Sequence, residues 1–160
     1  MIDLKMKICD VPTEVTEFAR GPGVPASVQT TGNVFPMNLN GNTIVLKISS
    51  DGGTTYPTTR THTFAAANPY NSIADVVADV IADATFLGGG SVDIQVFAVG
   101  SELLIRTKAV GQKALKIDAT STGIGAGKLQ FASNQVGNGT VSTIISIVPD
   151  ASGKYVIFFT

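Results

Sequence analysis

Ser72-Ile73-Ala74-Asp75-Val76-Val77-Ala78-Asp79-Val80-Ile81 is the stretch on which the fold turns. Its apolar residues Ile73, Val76, Val77, Val80 and Ile81 recur at helical spacing and form one stripe over about three turns. Ser72 is a good N-cap, and Asp75 three residues on supplies a shortened capping box. Gly88-Gly89-Gly90 offers the stop, so one helix is expected over about residues 72–86. Asp75, Asp79 and Asp83 fall at i, i+4 and i+8 on the far side and read as a solvated face.

On both sides of this helix the period drops to two. Upstream, Asn40-Gly41 is a hairpin-type turn signal, and Asn42–Ile48 follows as a β-branched strand. Asp51-Gly52-Gly53 marks the next turn. Thr55–Phe64 reads as a strand with Thr59, Thr61 and Thr63 on one face and Arg60, His62 and Phe64 on the other. Downstream, Val92, Ile94, Val96 and Ala98 alternate with Asp93, Gln95 and Phe97, and Gly100-Ser101 turns the chain into Glu102–Thr107. Ala114–Ile117 is a further short strand, Thr120–Lys128 a loop, Leu129–Phe131 renewed apolar packing and Asn138-Gly139 another turn. Val141–Val148 and Tyr155–Thr160 form a terminal strand pair. The expected class is α+β, mostly β, with antiparallel sheets and one central helix.

Residues 1 to 33 read differently. Pro12, Pro22 and Pro25 with Gly21, Gly23 and Gly32 forbid a central strand through 21–25, because proline removes a backbone donor and fixes φ. An extended N-terminal arm is expected over 1–33, with an edge strand possible at Asp3–Ile8. A single β-rich domain follows over 34–160 and ends in the strand pair at about 141–160. Tyr155-Val156-Ile157-Phe158-Phe159 is aromatic and uncharged. Left on a sheet edge it would aggregate, so it is buried either in its own domain or in a neighbouring subunit. The partner-binding candidates are therefore Val11, Pro12, Phe18, Pro22, Val24 and Pro25 of the arm, and Tyr155, Ile157 and Phe159 of the terminal strand.

Composition removes several function classes. Of the 160 residues only 14% are charged, against roughly 25% in ordinary soluble domains, and the surface is expected to be covered by partners rather than fully solvated. A net charge of -1 argues against nucleic acid, which needs a Lys/Arg surplus to neutralise phosphates. One Cys and one His allow neither a disulfide framework nor a His/Cys metal cluster. No segment approaches the apolar length of a membrane span, and Met1–Cys9 alternates charged with apolar residues, so no secretory leader is expected. Cys9 reads as a small buried or neutral thiol.

Motif tests end in the same place. Gly123-Ile124-Gly125-Ala126-Gly127-Lys128 looks like a phosphate loop, but Thr122 and Leu129 stand where that pattern needs Gly and Ser/Thr. Lys128 also breaks the dinucleotide fingerprint. His62 stands among threonines with no acid or nucleophile singled out, so it reads as a surface or partner-facing residue. Asn138-Gly139-Thr140 matches the glycosylation sequon but reads as a turn. No catalytic, cofactor-binding or metal-binding residue is assigned, and no enzyme is expected.

The order of elements nevertheless has a likeness. Leu39-Asn40-Gly41-Asn42-Thr43-Ile44-Val45-Leu46 resembles the opening strand of the flagellin-type IN module, and Ser72–Ile81 resembles its helix. Gly100-Ser101-Glu102-Leu103-Leu104-Ile105-Arg106-Thr107 and Gly111 with Leu115-Lys116-Ile117 are similar to its later strands. Ile81-Ala82 replaces the usual Ile-Asn, and Asp51–Pro69 is an insertion. Modules of this pattern resemble those of tailed-bacteriophage virion proteins. That resemblance implies no active site or cofactor, a virion location, and other structural subunits as partners. The leading expectation is a capsid decoration (cement) protein, homo-oligomeric, docked on the major capsid protein through arm and terminal strand, with no nucleic-acid or membrane partner. A tail, neck or baseplate subunit, or a receptor- or glycan-binding module of a fibre, is the alternative. The absence of Trp and the scattering of Tyr56, Tyr70 and Tyr155 weaken the glycan reading.

Overall fold

A computed structural model describes residues 5–6, 23–65, 69–89, 93–141, 144–149 and 155–159. The chain forms two compact units, residues 24–140 and residues 1–23 together with 141–160, where the sequence reading draws its boundary at 33. The fold is mostly β with antiparallel pairing and a central helical segment.

The unit made of the chain ends carries β1 (Lys5–Met6), β9 (Ile144–Pro149) and β10 (Tyr155–Phe159) in the order β1-β10-β9. The terminal strand pair is present, and β10 is its middle strand, pairing with β9 from Tyr155↔Pro149 to Phe159↔Ile144 and with β1 at Met6↔Tyr155 and Lys5↔Val156.

The larger unit holds two sheets. One has the order β4-β3-β7-β8, from β3 (Thr43–Ser49), β4 (Thr58–Thr63), β7 (Ala114–Ile117) and β8 (Val136–Asn138). The other is β2-β6-β5, from β2 (Pro25–Gln29), β5 (Ile94–Val99) and β6 (Glu102–Val110). β3 and β4 are joined through Asp51, whose carboxylate accepts from the Ser49 and Thr55 hydroxyls and the Thr55 amide, with Gly52 and Gly53 at positive φ as the turn requires. The sheets meet at a seam where β8 runs against β2. Val24 and Thr140 exchange backbone hydrogen bonds at 2.9 Å, and a Cβ on Gly137 would overlap the Ser27 carbonyl. Of Asn138 and Gly139, expected as a turn, Asn138 ends β8 and Gly139 follows it on this seam, close against the Val24 carbonyl and Ala26 amide, where only glycine lets two backbones approach so closely.

On the sheets, α1 (Ile73–Ala82) packs against β5 and β6, and α2 (Ala84–Leu87) against β4 and β5. Both halves of the capping box at Ser72 and Asp75 form, and Ile73, Val76 and Val80 are buried, whereas Ile81 of the expected stripe is half exposed. The helix expected over 72–86 is in fact two. It breaks at Asp83, whose side chain accepts from the Phe86 amide and so caps α2. Gly88, in the left-handed conformation, ends α2 as its sequence position implies. Phe64, Phe86, Leu46, Leu103, Ile105 and Leu115 are among the fully buried side chains between sheets and helices. Burying each contributes about 1.5–3 kcal/mol.

The region expected as an arm is the main correction. Residues 24–33 belong to the larger unit, with Ala26 and Val28 buried and Ser27↔Arg106 and Gln29↔Leu104 paired to β6. Pro25 is tolerated because it is the first residue of an edge strand, where no inward N–H is needed.

Candidate functional site

The residues singled out for partner binding separate into three groups. Val11, Pro12, Phe18 and Pro22 lie outside the described residues. Val24 and Pro25 are not in a free arm: Val24 is bonded to Thr140, its side chain exposed, and Pro25 opens β2 opposite Val110. Tyr155, Ile157 and Phe159 lie along β10, with Pro149, Ile147 and Ile144 as their β9 partners.

The sequence reading of His62 as a surface residue is overturned. It is 3% exposed, because the face of β4 opposite the threonines carries Arg60, His62 and Phe64 toward the helices. Its imidazole lies edge-on to Phe64 at 4.7 Å and near Phe86 at 5.8 Å. Two members of the supposedly solvated acidic face turn toward it. Nδ1 is 3.0 Å from Asp83 Oδ2, and Nε2 is 3.6 Å from Asp79 Oδ2, too long for a hydrogen bond. The Tyr70 hydroxyl donates to the same Asp79 oxygen in a short bond. Only Asp75 serves the helix end alone. Burial raises the Asp83 pKa, but the Phe86 amide and the His62 imidazole outweigh it, so the carboxyl lies below its usual range.

Tyr70, Asp79, His62 and Asp83 therefore form a polar chain linking β4 to both helices, with the imidazole buried and the two carboxylates partly exposed. An imidazole held by carboxylates is an oriented acid or base, yet acid–base work also needs a reacting group within reach. This imidazole packs on the Phe64 and Phe86 rings, and its bond to Asp83 ties the helix junction to β4.

A cleft of this unit lies elsewhere, between the first half of β4 and the beginning of β5. It encloses about 580 Å³, and its polar lining includes Ser50, Thr58, Arg60, Asp93, Lys108 and Lys113. Arg60 bridges its back wall, donating to Asp93 Oδ2 at 2.6 Å and to the Phe86 carbonyl at 3.3 Å, and so also capping α2. The loop that resembles a phosphate cradle is tied down: Lys128 Nζ donates to Asn42 Oδ1 at 2.7 Å and to the Thr122 carbonyl at 2.6 Å. Among the described residues, no helix is long and apolar enough to cross a membrane.

His62 and its acids were missed because the partners come from a helix that begins ten residues downstream of β4. The available signal was the face shared with Phe64. Comparison with protein-family models, with curated proteins and with solved structures finds no match to this chain.

Proposed function

We propose that the chain is a non-enzymatic structural protein of a tailed-bacteriophage virion: a capsid decoration or cement protein, homo-oligomeric and docked on the major capsid protein. The observation that carries this reading is the pairing of the two chain ends into a unit of their own, with β10 at its centre. Tyr155-Val156-Ile157-Phe158-Phe159 is apolar at every position, and a strand of that composition belongs in a sheet covered on both faces. Three strands offer little cover, so a neighbouring subunit supplies the rest. With β10 hydrogen-bonded on both sides, docking works through apolar faces of this small sheet and through the preceding N-terminal residues. The low charge and the order of elements like that of the IN module support the same reading.

The test is truncation. Chains lacking residues 1–22, or residues 150–160, are expected to be lost from purified particles while residues 24–140 keep their folded circular dichroism spectrum. If both truncated chains are incorporated at the occupancy of the full chain, the proposal is wrong.

A further inference from the structure

The open edge of β4 and the cleft at its Thr58 end carry an inference of their own. The direction of each backbone group in β4 follows from its neighbours. Thr43 and Val45 turn their amides and carbonyls toward the 118–123 side: the Gly123 amide donates to the Thr43 carbonyl, the Asp118 amide to the Val45 carbonyl, and the Thr43 and Val45 amides to Thr122 and Ser121. Ile44, Leu46 and Ile48 must then face β4, where they meet His62, Arg60 and Thr58. The N–H and C=O groups of Thr59, Thr61 and Thr63 are left pointing outward, with no partner among the described residues.

Edge strands are ordinarily blunted by charge, proline or a bulge. The outward residues of β4 are exposed threonines, its register with β3 is unbroken, and its one charge, Arg60, is taken up by Asp93 and the Phe86 carbonyl.

Charge supplies the second observation. Every described carboxylate is held by the fold: Asp51, Asp79 and Asp83 as above, Asp75 in its cap, Asp93 by Arg60, Glu102 by Thr30 and Gly32, and Asp118 by Lys47. Among the cations, Lys47, Arg60, Arg106, Lys116 and Lys128 are likewise engaged. The Lys108 and Lys113 ammonium groups have no partner among the described residues, and both residues line the cleft beside β4. Asp93, the one carboxylate there, is already neutralised by Arg60, so the cleft awaits negative charge from outside.

We propose that this edge and cleft form a docking site for an extended acidic segment of a partner protein. The segment adds as a strand outside β4, bonding to the Thr59, Thr61 and Thr63 backbone, and sets carboxylates on Lys108 and Lys113. Here the partner's segment enters this chain, whereas the terminal unit docks onto a partner, so the two proposals fail separately.

The experiment uses the full chain and a fluorescent peptide of alternating glutamate and threonine, with a lysine–threonine peptide as control. Fluorescence anisotropy is expected to show saturable binding of the acidic peptide only. Lys108→Ala with Lys113→Ala should weaken it roughly tenfold. Thr61→Pro removes an outward amide and should weaken it as well. Should that variant unfold, the amide signals of Thr59, Thr61 and Thr63 in the unaltered chain report the added strand by their slowed hydrogen exchange. No binding of the acidic peptide, binding unchanged in the double lysine variant, unchanged exchange at the three threonines, or displacement by inorganic phosphate at peptide-like concentration would each overturn the proposal.

Discussion

His62 on β4 and Asp83 at the junction of the two helices stand with Nδ1 3.0 Å from Oδ2, and this pair holds the helical segment to the sheet. Asp83 does two tasks, accepting from the imidazole and from the Phe86 amide. Asp83→Ala removes both and leaves a buried imidazole without that partner, a loss of about 3 kcal/mol. Asp83→Asn keeps an acceptor for the cap and should cost about 1 kcal/mol. Urea denaturation of the two variants checks the order. Equal midpoints for Asp83→Ala and the unaltered chain would remove the pair from this account.

The seam makes a sharper demand. At Gly137 a methyl group would overlap the Ser27 carbonyl, backbone against backbone, so neither side can yield without moving a strand. Gly137→Ala is expected to destabilise by about 3 kcal/mol, the upper end of overpacking costs. Gly41 is the comparison: it has open space around it and positive φ, so alanine there costs only the backbone strain, about 1 kcal/mol. A smaller loss at Gly137 than at Gly41 would mean that β8 does not pass so close to β2.

Stability should fall with acid. Hydrogen bonds from Ser49 and Thr55 hold the Asp51 carboxyl well below its usual range, and the Lys47 ammonium with Thr120 does the same for Asp118. For Asp83 and Glu102 burial pushes upward, but bonds from Phe86 and His62, and from Thr30 and Gly32, outweigh it and lower both. Carboxylates lowered in the folded state stay ionised while the unfolded chain takes up protons, so their contribution is complete above about pH 5 and is lost as pH drops through their folded values. The urea midpoint should therefore fall steadily from about pH 5 toward pH 3. A midpoint that rises over that interval contradicts the pairing described for these four groups.

Much of the fold was readable in the sequence because its signals are local. The Ser72–Asp75 cap, the stripe at Ile73, Val76 and Val80, the glycine stops and the alternation of threonines in β4 each depend on neighbours in sequence. What escaped depends on distant partners. Pro25 reads as a breaker until β6 leaves it the first position of an edge strand. Asn138-Gly139 reads as a turn until β2 is laid across β8. His62 reads as polar surface because its acids lie on a later helix, and the break at Asp83 is invisible until that residue is seen capping α2. The cleft cations carry no sequence signal, since lysines with and without partners look alike until the pairs are known.

The central claim is that this chain works as one of many subunits on a capsid. Quantitative mass spectrometry of virions purified from cells that make the chain tests it most directly. A capsid decoration protein is expected at on the order of hundreds of copies per particle, in a fixed ratio to the major capsid protein. A copy number matching a single ring would place it in the tail, neck or baseplate, and its absence from washed particles would contradict the virion reading altogether.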